Sequence, residues 1–299
     1  MLKNSYVSGN KLFTFIIIST FFLIILNWIL SDFTQLVIYF SSVLLFGIIH
    51  GANDIYLIIR GNNKNKKISK TTFIYVFIVL LITLIFFSFP LLSLIFFVLF
   101  SCYHFGEQQW TILDENIDSG PLFFFNGLLI FATLFYFHRI EVIEIVYMIS
   151  SFSLISDFFK YLLITSILLT LISLLINYKR VKSQILNQII LFPLLIIAFS
   201  QLSLFNSFAL YFVIYHSIPS ILEQTNFLYG SSTYPLIKKY FITAMPYWIT
   251  ALIGLLVFYL IFSKNFTFSL DIFFSFLAAI TFPHVIVIYK MKKITNDKI

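Results

Sequence analysis

Four of the five histidines in this chain, His50, His104, His216 and His284, each sit inside a separate long apolar segment. An imidazole in hydrocarbon is costly unless it faces a packed interior and has a partner, so such a residue points to function. Four of them suggest one shared partner, and for neutral imidazole the commonest is a metal ion. The competing account is that each ring bonds to a neighbouring helix and merely fixes packing. The fifth histidine, His138, stands beside Arg139 at the end of an apolar segment and is expected to be interfacial.

These residues must be positioned by elements that suit a membrane. Of the 299 residues 60% are hydrophobic and 10% charged, and mean hydropathy is +1.00, where a soluble domain carries roughly 25% charged residues. A single cysteine, Cys102, excludes a disulfide framework and any CxxC zinc or redox motif. The expectation is an all-α, polytopic membrane helix bundle forming a single integral membrane domain over 1–299. At roughly 20 residues per crossing there is room for about ten transmembrane helices, over 12–30, 36–59, 71–89, 91–110, 121–138, 160–177, 185–204, 207–228, 243–263 and 270–289. The first, with no small-residue cleavage site after it, reads as an uncleaved helix. The narrowest connections fall at Pro90 and at Phe205 and Asn206. Between His138 and Phe159 an amphipathic stretch is expected at the surface or in the interface.

Positive charge tests this layout, because short cytoplasmic loops collect Lys and Arg. With both termini cytoplasmic, all basic residues fall on the inner side except Arg139, Lys160 and Lys264. The net charge of +7 is explained by this bias and implies no nucleic acid partner. The expected location is the cell (inner) membrane, as a multi-pass protein surrounded by membrane lipids. Bulk lipid contact accounts for most of the 40 phenylalanines.

In this layout the four histidines lie on codirectional helices, about 6 to 12 residues from the inner end, or roughly 9 to 18 Å, so they can share one depth. A residue four positions on lies on the same helical face. That places Asp54 after His50, Gln108 after His104 and Ser220 after His216, and Glu107, Glu223 and Gln224 extend the polar stripes inward. Such groups suit orientation of the rings from behind or the lining of a water-filled access path. Gly51, Ala52, Gly106 and Ser217 allow close approach of helices or substrate. Pro219 and Pro283 loosen the backbone near two of the histidines.

The strings FGIIHGAND around His50, YHFGEQQW around His104, YFVIYHSIPS around His216 and TFPH around His284 together resemble the Brp/Blh family of bacteriorhodopsin-related membrane proteins, the β-carotene 15,15′-dioxygenases. HGAND and YHFG are the most specific, and the strings span nearly the whole chain in the family's order. The resemblance implies an Fe(II) cofactor, a lipid-soluble carotenoid substrate and O2. The product is retinal from cleavage at the central double bond, with a rhodopsin as its possible recipient. It makes His50, His104 and His216 iron ligands. Three positions depart from the family pattern: Ser220 stands where a further histidine is frequent, Gln109 where Asp is frequent, and Tyr289 where an acidic residue is frequent. His284 is then expected to supply the fourth nitrogen, giving a metal set of His50, His104, His216 and His284.

The chemistry suits such a site. β-Carotene has no acidic proton or polar handle, so no acid or base residue beyond the metal site is expected, and the protein must align one double bond and exclude water. Zinc would suit the ligands but has no redox chemistry, and HExxH is absent. Two other classes remain: a carotenoid- or retinal-binding membrane protein without cleavage, favoured by the change at Ser220, and a His/Asp relay transporter using Asp54. The transporter requires polar residues continuing outward from the histidines, and these are few.

Overall fold

A computed structural model of the chain describes residues 9–61, 67–111, 117–262 and 270–296, and all its regular elements are helical. In chain order they are α1 (Gly9–Ile29), α2 (Asp32–Ser42), the π-helical segment π1 (Val43–Gly47), α3 (Asp54–Gly61), α4 (Ile68–Ser88), α5 (Pro90–Thr111), α6 (Gly120–Phe137) and α7 (Arg139–Ser150). These are followed by α8 (Ser156–Val181), α9 (Ile185–Gln201), α10 (Leu204–Leu210), the π-helical segment π2 (Tyr211–Ser217), α11 (Ile218–Tyr229), α12 (Tyr234–Phe262) and α13 (Leu270–Asn296). Seven helical stretches among the described residues are long and apolar enough to cross a membrane, and Asp32–Gly47 and Ile185–Gln201 are shorter apolar helices. Phe73, Phe77, Leu80 and Leu84 on α4 are exposed, as suits contact with lipid rather than water.

Boundaries follow local chemistry. The narrow connection at Pro90 is a single residue, Phe89, at φ −138° and ψ 64°; proline disfavours helical geometry in the residue before it. The other falls earlier than expected, at Leu202 and Ser203, because the Ser203 hydroxyl accepts from the Asn206 N–H and caps α10. The amphipathic stretch forms α7, with Val142 and Val146 buried and Ile140, Tyr147 and Met148 exposed, and α8 then starts at Ser156. The basic residues Lys3, Lys64, Lys66, Lys264 and Lys298 lie outside the described residues.

The continuous span expected over 36–59 is broken. After π1 the chain turns at 50–53 through bonds of the three-residue type, such as Gly51 N–H to Ile48 O (3.2 Å) and Ala52 N–H to Ile49 O (3.1 Å). π-Helical turns and unwound backbone leave carbonyls unpaired, which an apolar setting tolerates only where something else bonds to them. Here side chains do so. Trp248 Nε1 donates to Leu44 O at 2.8 Å, Tyr240 Oη to His50 O at 3.0 Å, and in π2 Ser217 Oγ to Phe212 O at 2.7 Å. π1 and π2 pack against each other, and a Cβ on Gly47 would stand 2.5 Å from the Phe212 ring. Only glycine permits that approach.

The tightest crossing joins α5 and α6. A Cβ on Gly106 would lie 1.8 Å from the Phe123 carbonyl oxygen, and one on Gly127 1.8 Å from that of Cys102. The two backbones thus meet with no side chain between them, the small-residue contact that membrane helices favour. This fixes α5, and with it His104, two residues from the crossing.

Candidate metal centre

The rings of the four intramembrane histidines come together, with His104 joined to the others through its ring contacts with His216 and His284. His50 lies at the turn after π1, His104 on α5, His216 in π2 and His284 on α13, and none is more than 4% exposed. Their rings form a closed circuit: centroids are 5.0 Å apart for His50 and His216, 4.6 Å for His216 and His104, 5.4 Å for His104 and His284, and 4.6 Å for His284 and His50. Nitrogens of His50, His216 and His284 lie within 4.8 Å of one another. That is close to the span of about 4 Å that two ligands can reach when each is about 2.1 Å from one ion.

Their partners assign the tautomers. His50 Nδ1 faces the Gly47 carbonyl, which can only accept, so Nδ1 carries the hydrogen and Nε2 offers its lone pair. His284 Nδ1 lies 2.9 Å from Asp54 Oδ1, with the same consequence for its Nε2. The second Asp54 oxygen accepts from Tyr75 Oη at 2.6 Å, so a phenol, a carboxylate and an imidazole form one line. His50 Nε2 lies 3.3 Å from His216 Nε2. His104 Nε2, His284 Nε2 and His216 Nδ1 are buried without a protein partner. An unmatched buried polar atom costs about 1–3 kcal/mol. A cation that binds imidazole lone pairs removes that cost, so the residues present fit a metal ion. Carboxylate behind imidazole is the arrangement that orients a ligating ring and raises its basicity.

The residues expected behind the rings divide. Asp54 supports a ring, but that of His284 and not that of His50 four positions before it, because the chain leaves the helix at 50–53. Ser220 Oγ accepts from Gln224 Nε2 at 2.9 Å, and Gln224 Oε1 accepts from Tyr240 Oη at 2.8 Å. The one Tyr240 hydroxyl hydrogen is shared between Gln224 Oε1 and the His50 carbonyl, 3.0 Å away, so Ser220 and Gln224 stand behind the turn that carries His50. Glu107 and Glu223 meet a cation. They flank Lys292 Nζ at 3.6 and 3.7 Å, and Lys292 also donates to Thr111 Oγ1 at 2.9 Å. Gln108 is buried with its Oε1 unpaired. His138 lies apart, 3.2 Å from Ser207 Oγ and 3.4 Å from Glu141, and is buried.

Sequence reasoning missed Tyr75, Tyr240 and Lys292. Nothing in the spacing marks the two tyrosines. Lys292 carried a signal, since it follows His284 by eight residues on one helix and so lies near the same face, but it merges with the basic cluster that ends α13.

Aromatic rings close one side of the centre. Phe212 stacks on His216 at 5.7 Å and 12°, Phe105 stands 4.5 Å from the same ring, and Phe208 stacks on Phe212 at 5.3 Å. His50 and His284 open into a cavity of about 510 Å³, which Phe212 also lines. Its floor is Leu277, Ile280, Thr281 and His284 of α13, and its rims are Thr72, Val76 and Leu80 of α4 and Pro246, Thr250 and Gly254 of α12. Residues of each rim are exposed, so the cleft opens sideways between α4 and α12. A second cavity of about 450 Å³, wholly apolar and lined by α5 to α8 and α10, touches no histidine.

A family model described as beta-carotene 15,15′-dioxygenase matches residues 41–292, which include all four histidines and the cleft. No curated protein and no solved structure matches the chain.

Proposed function

Because this chain belongs to the beta-carotene 15,15′-dioxygenase family, we propose that it cleaves the central double bond of β-carotene, or of a related carotenoid, with O2 to give retinal, using Fe(II) held by His50, His104, His216 and His284. The observation that carries this reading is the group of buried imidazole nitrogens without protein partners, joined to an apolar cleft by His284, which lines it together with His50. His284 takes the place left by Ser220, whose hydroxyl is engaged with Gln224.

Iron, when bound, supplies the activation of O2 that an all-imidazole set without redox chemistry of its own cannot. In the overall step the alkene C=C and the O–O bond break and two C=O bonds form, one oxygen to each. The carbons are oxidised, O2 is reduced, and no proton or added reductant is consumed. The chain's own residues provide positioning. Asp54 and the Gly47 carbonyl hold the hydrogens of His284 and His50 away from the ion, Phe105 and Phe212 keep water from His216, and the cleft aligns the polyene by shape. The features favour cleavage over a proton relay, since both Asp54 oxygens are engaged and the cleft floor beyond His284 is mostly apolar.

In this reading the chain forms one integral membrane domain of about ten crossings in the cell membrane, with both termini cytoplasmic. The broken α2–π1–α3 segment makes one crossing, and the uninterrupted α10–π2–α11 stretch makes another. Substrate arrives laterally from lipid, and the retinal serves a rhodopsin. The test is expression in bacteria that accumulate β-carotene, with pigment and retinal measured by chromatography. The chain is expected to bleach the cells and yield retinal, and His104→Ala to do neither. Persistent pigment without retinal would sink the activity, and equal retinal from His104→Ala would sink the site.

A further inference from the structure

The cleft has two distinct ends. At one stand His50, Asp54, Tyr75 and His284. At the other, two helical turns along α13, Phe276 lies against α12, where a Cβ built on Gly254 would stand 4.0 Å from Phe276 Cε2. Phe276 contacts the Phe258 ring at 6.3 Å, and Phe258 contacts Phe87 at 5.7 Å. An aromatic row thus runs from α13 through α12 to α4, and its first member, Phe276, lines this end of the cleft. From His284 to Phe276 is eight residues, or about 12 Å at the helical rise. Among the described residues the long sides are exposed along the α4 and α12 rims, and the Phe276 end is where the cleft can restrict length.

Resting on the dioxygenase reading, we propose that this stop is a ruler. One half of a symmetric polyene lies along the cleft with its ring against Phe276 and Gly254, the other half leaves sideways between α4 and α12, and the distance from the stop to the histidines selects the bond that is cut. An apolar polyene has no polar group by which a site could set its register, so contact at its end is the physical means left. Gly254 is the adjustable element. Its missing side chain leaves room at the stop, and a side chain there meets only the edge of Phe276 at ordinary contact distance, so enlarging it shortens the cleft without forcing α12 from α13.

The test compares the purified full-length wild type, Gly254→Leu, Phe276→Ala and their double variant on β-carotene, with products identified by chromatography and mass spectrometry. Wild type is expected to give two equal aldehydes. Gly254→Leu, which pushes the polyene outward by one double bond, is expected to give a shorter ketone paired with a longer aldehyde as at least half of its product. Phe276→Ala lets the polyene sink deeper and is expected to give unequal fragments too, while the double variant returns toward equal halves. Retinal as the only product of Phe276→Ala, with Gly254→Leu giving retinal only or nothing, would overturn the ruler. Wild type that makes no retinal would instead overturn the dioxygenase reading.

Discussion

His284 illustrates what a single residue brings to this centre. Its ring completes the circuit of four imidazoles, and its Nδ1 hydrogen is fixed by Asp54, which Tyr75 holds in turn. If His284 ligates the ion, removing the carboxylate frees the ring to rotate and lowers its basicity. Asp54→Ala is therefore expected to weaken Fe(II) or Co(II) binding about 10–100-fold, measured by competition with a chelator, while the protein remains folded. Unchanged affinity would show that Asp54 does not act through the metal. The four histidines were legible in the sequence because a titratable ring in an apolar segment is exceptional. The partner of Asp54 was not, because the same-face rule assumes a continuous helix, and the chain unwinds between His50 and Asp54.

At the scale of elements, α5, α11 and α13 are joined at one end by Lys292, Glu107, Glu223 and Thr111. Lys292 and Glu107 have side chains 9% and 8% exposed and Glu223 21%. Removing the cation leaves carboxylates facing each other in a poorly hydrated place. Lys292→Met is expected to destabilise the protein by about 3 kcal/mol, at the low end for a broken buried pair because Glu223 is partly exposed. Thermal unfolding in detergent checks this, with Lys292→Met/Glu107→Gln recovering part of the loss. Equal stability of wild type and Lys292→Met would exclude a clasp. Helix extents were legible to within one residue for α5 and α6 and to within three for α4, since long apolar runs bounded by charges or proline have one solution. The π-helical segments were not, because they arise from contacts distant in sequence, such as Gly47 with Phe212 and Leu44 with Trp248.

For the whole molecule, apolar belts and a strong charge bias are two independent signatures of a membrane bundle. The seven long apolar helices carry the first, and the second was counted from the basic residues. If both termini are cytoplasmic and α2–π1–α3 and α10–π2–α11 each cross once, a cysteine introduced at Lys160 is labelled from outside intact cells by a membrane-impermeant reagent, and one at Lys182 only after permeabilisation. Labelling of both from outside would overturn the layout. Composition made the class legible, but the number of crossings was harder to read. α2 and α3 are individually too short to span, and only their stacking through π1 joins them.

All three scales meet in one claim, that the histidine cluster works through iron. Its most direct measurement is retinal formation by purified protein stripped of metal and reloaded with Fe(II) or with Zn(II). Fe(II) is expected to restore cleavage of β-carotene, and Zn(II) to bind the same imidazoles yet leave the substrate intact. Equal retinal from the metal-free protein, or from the zinc form, would contradict the account.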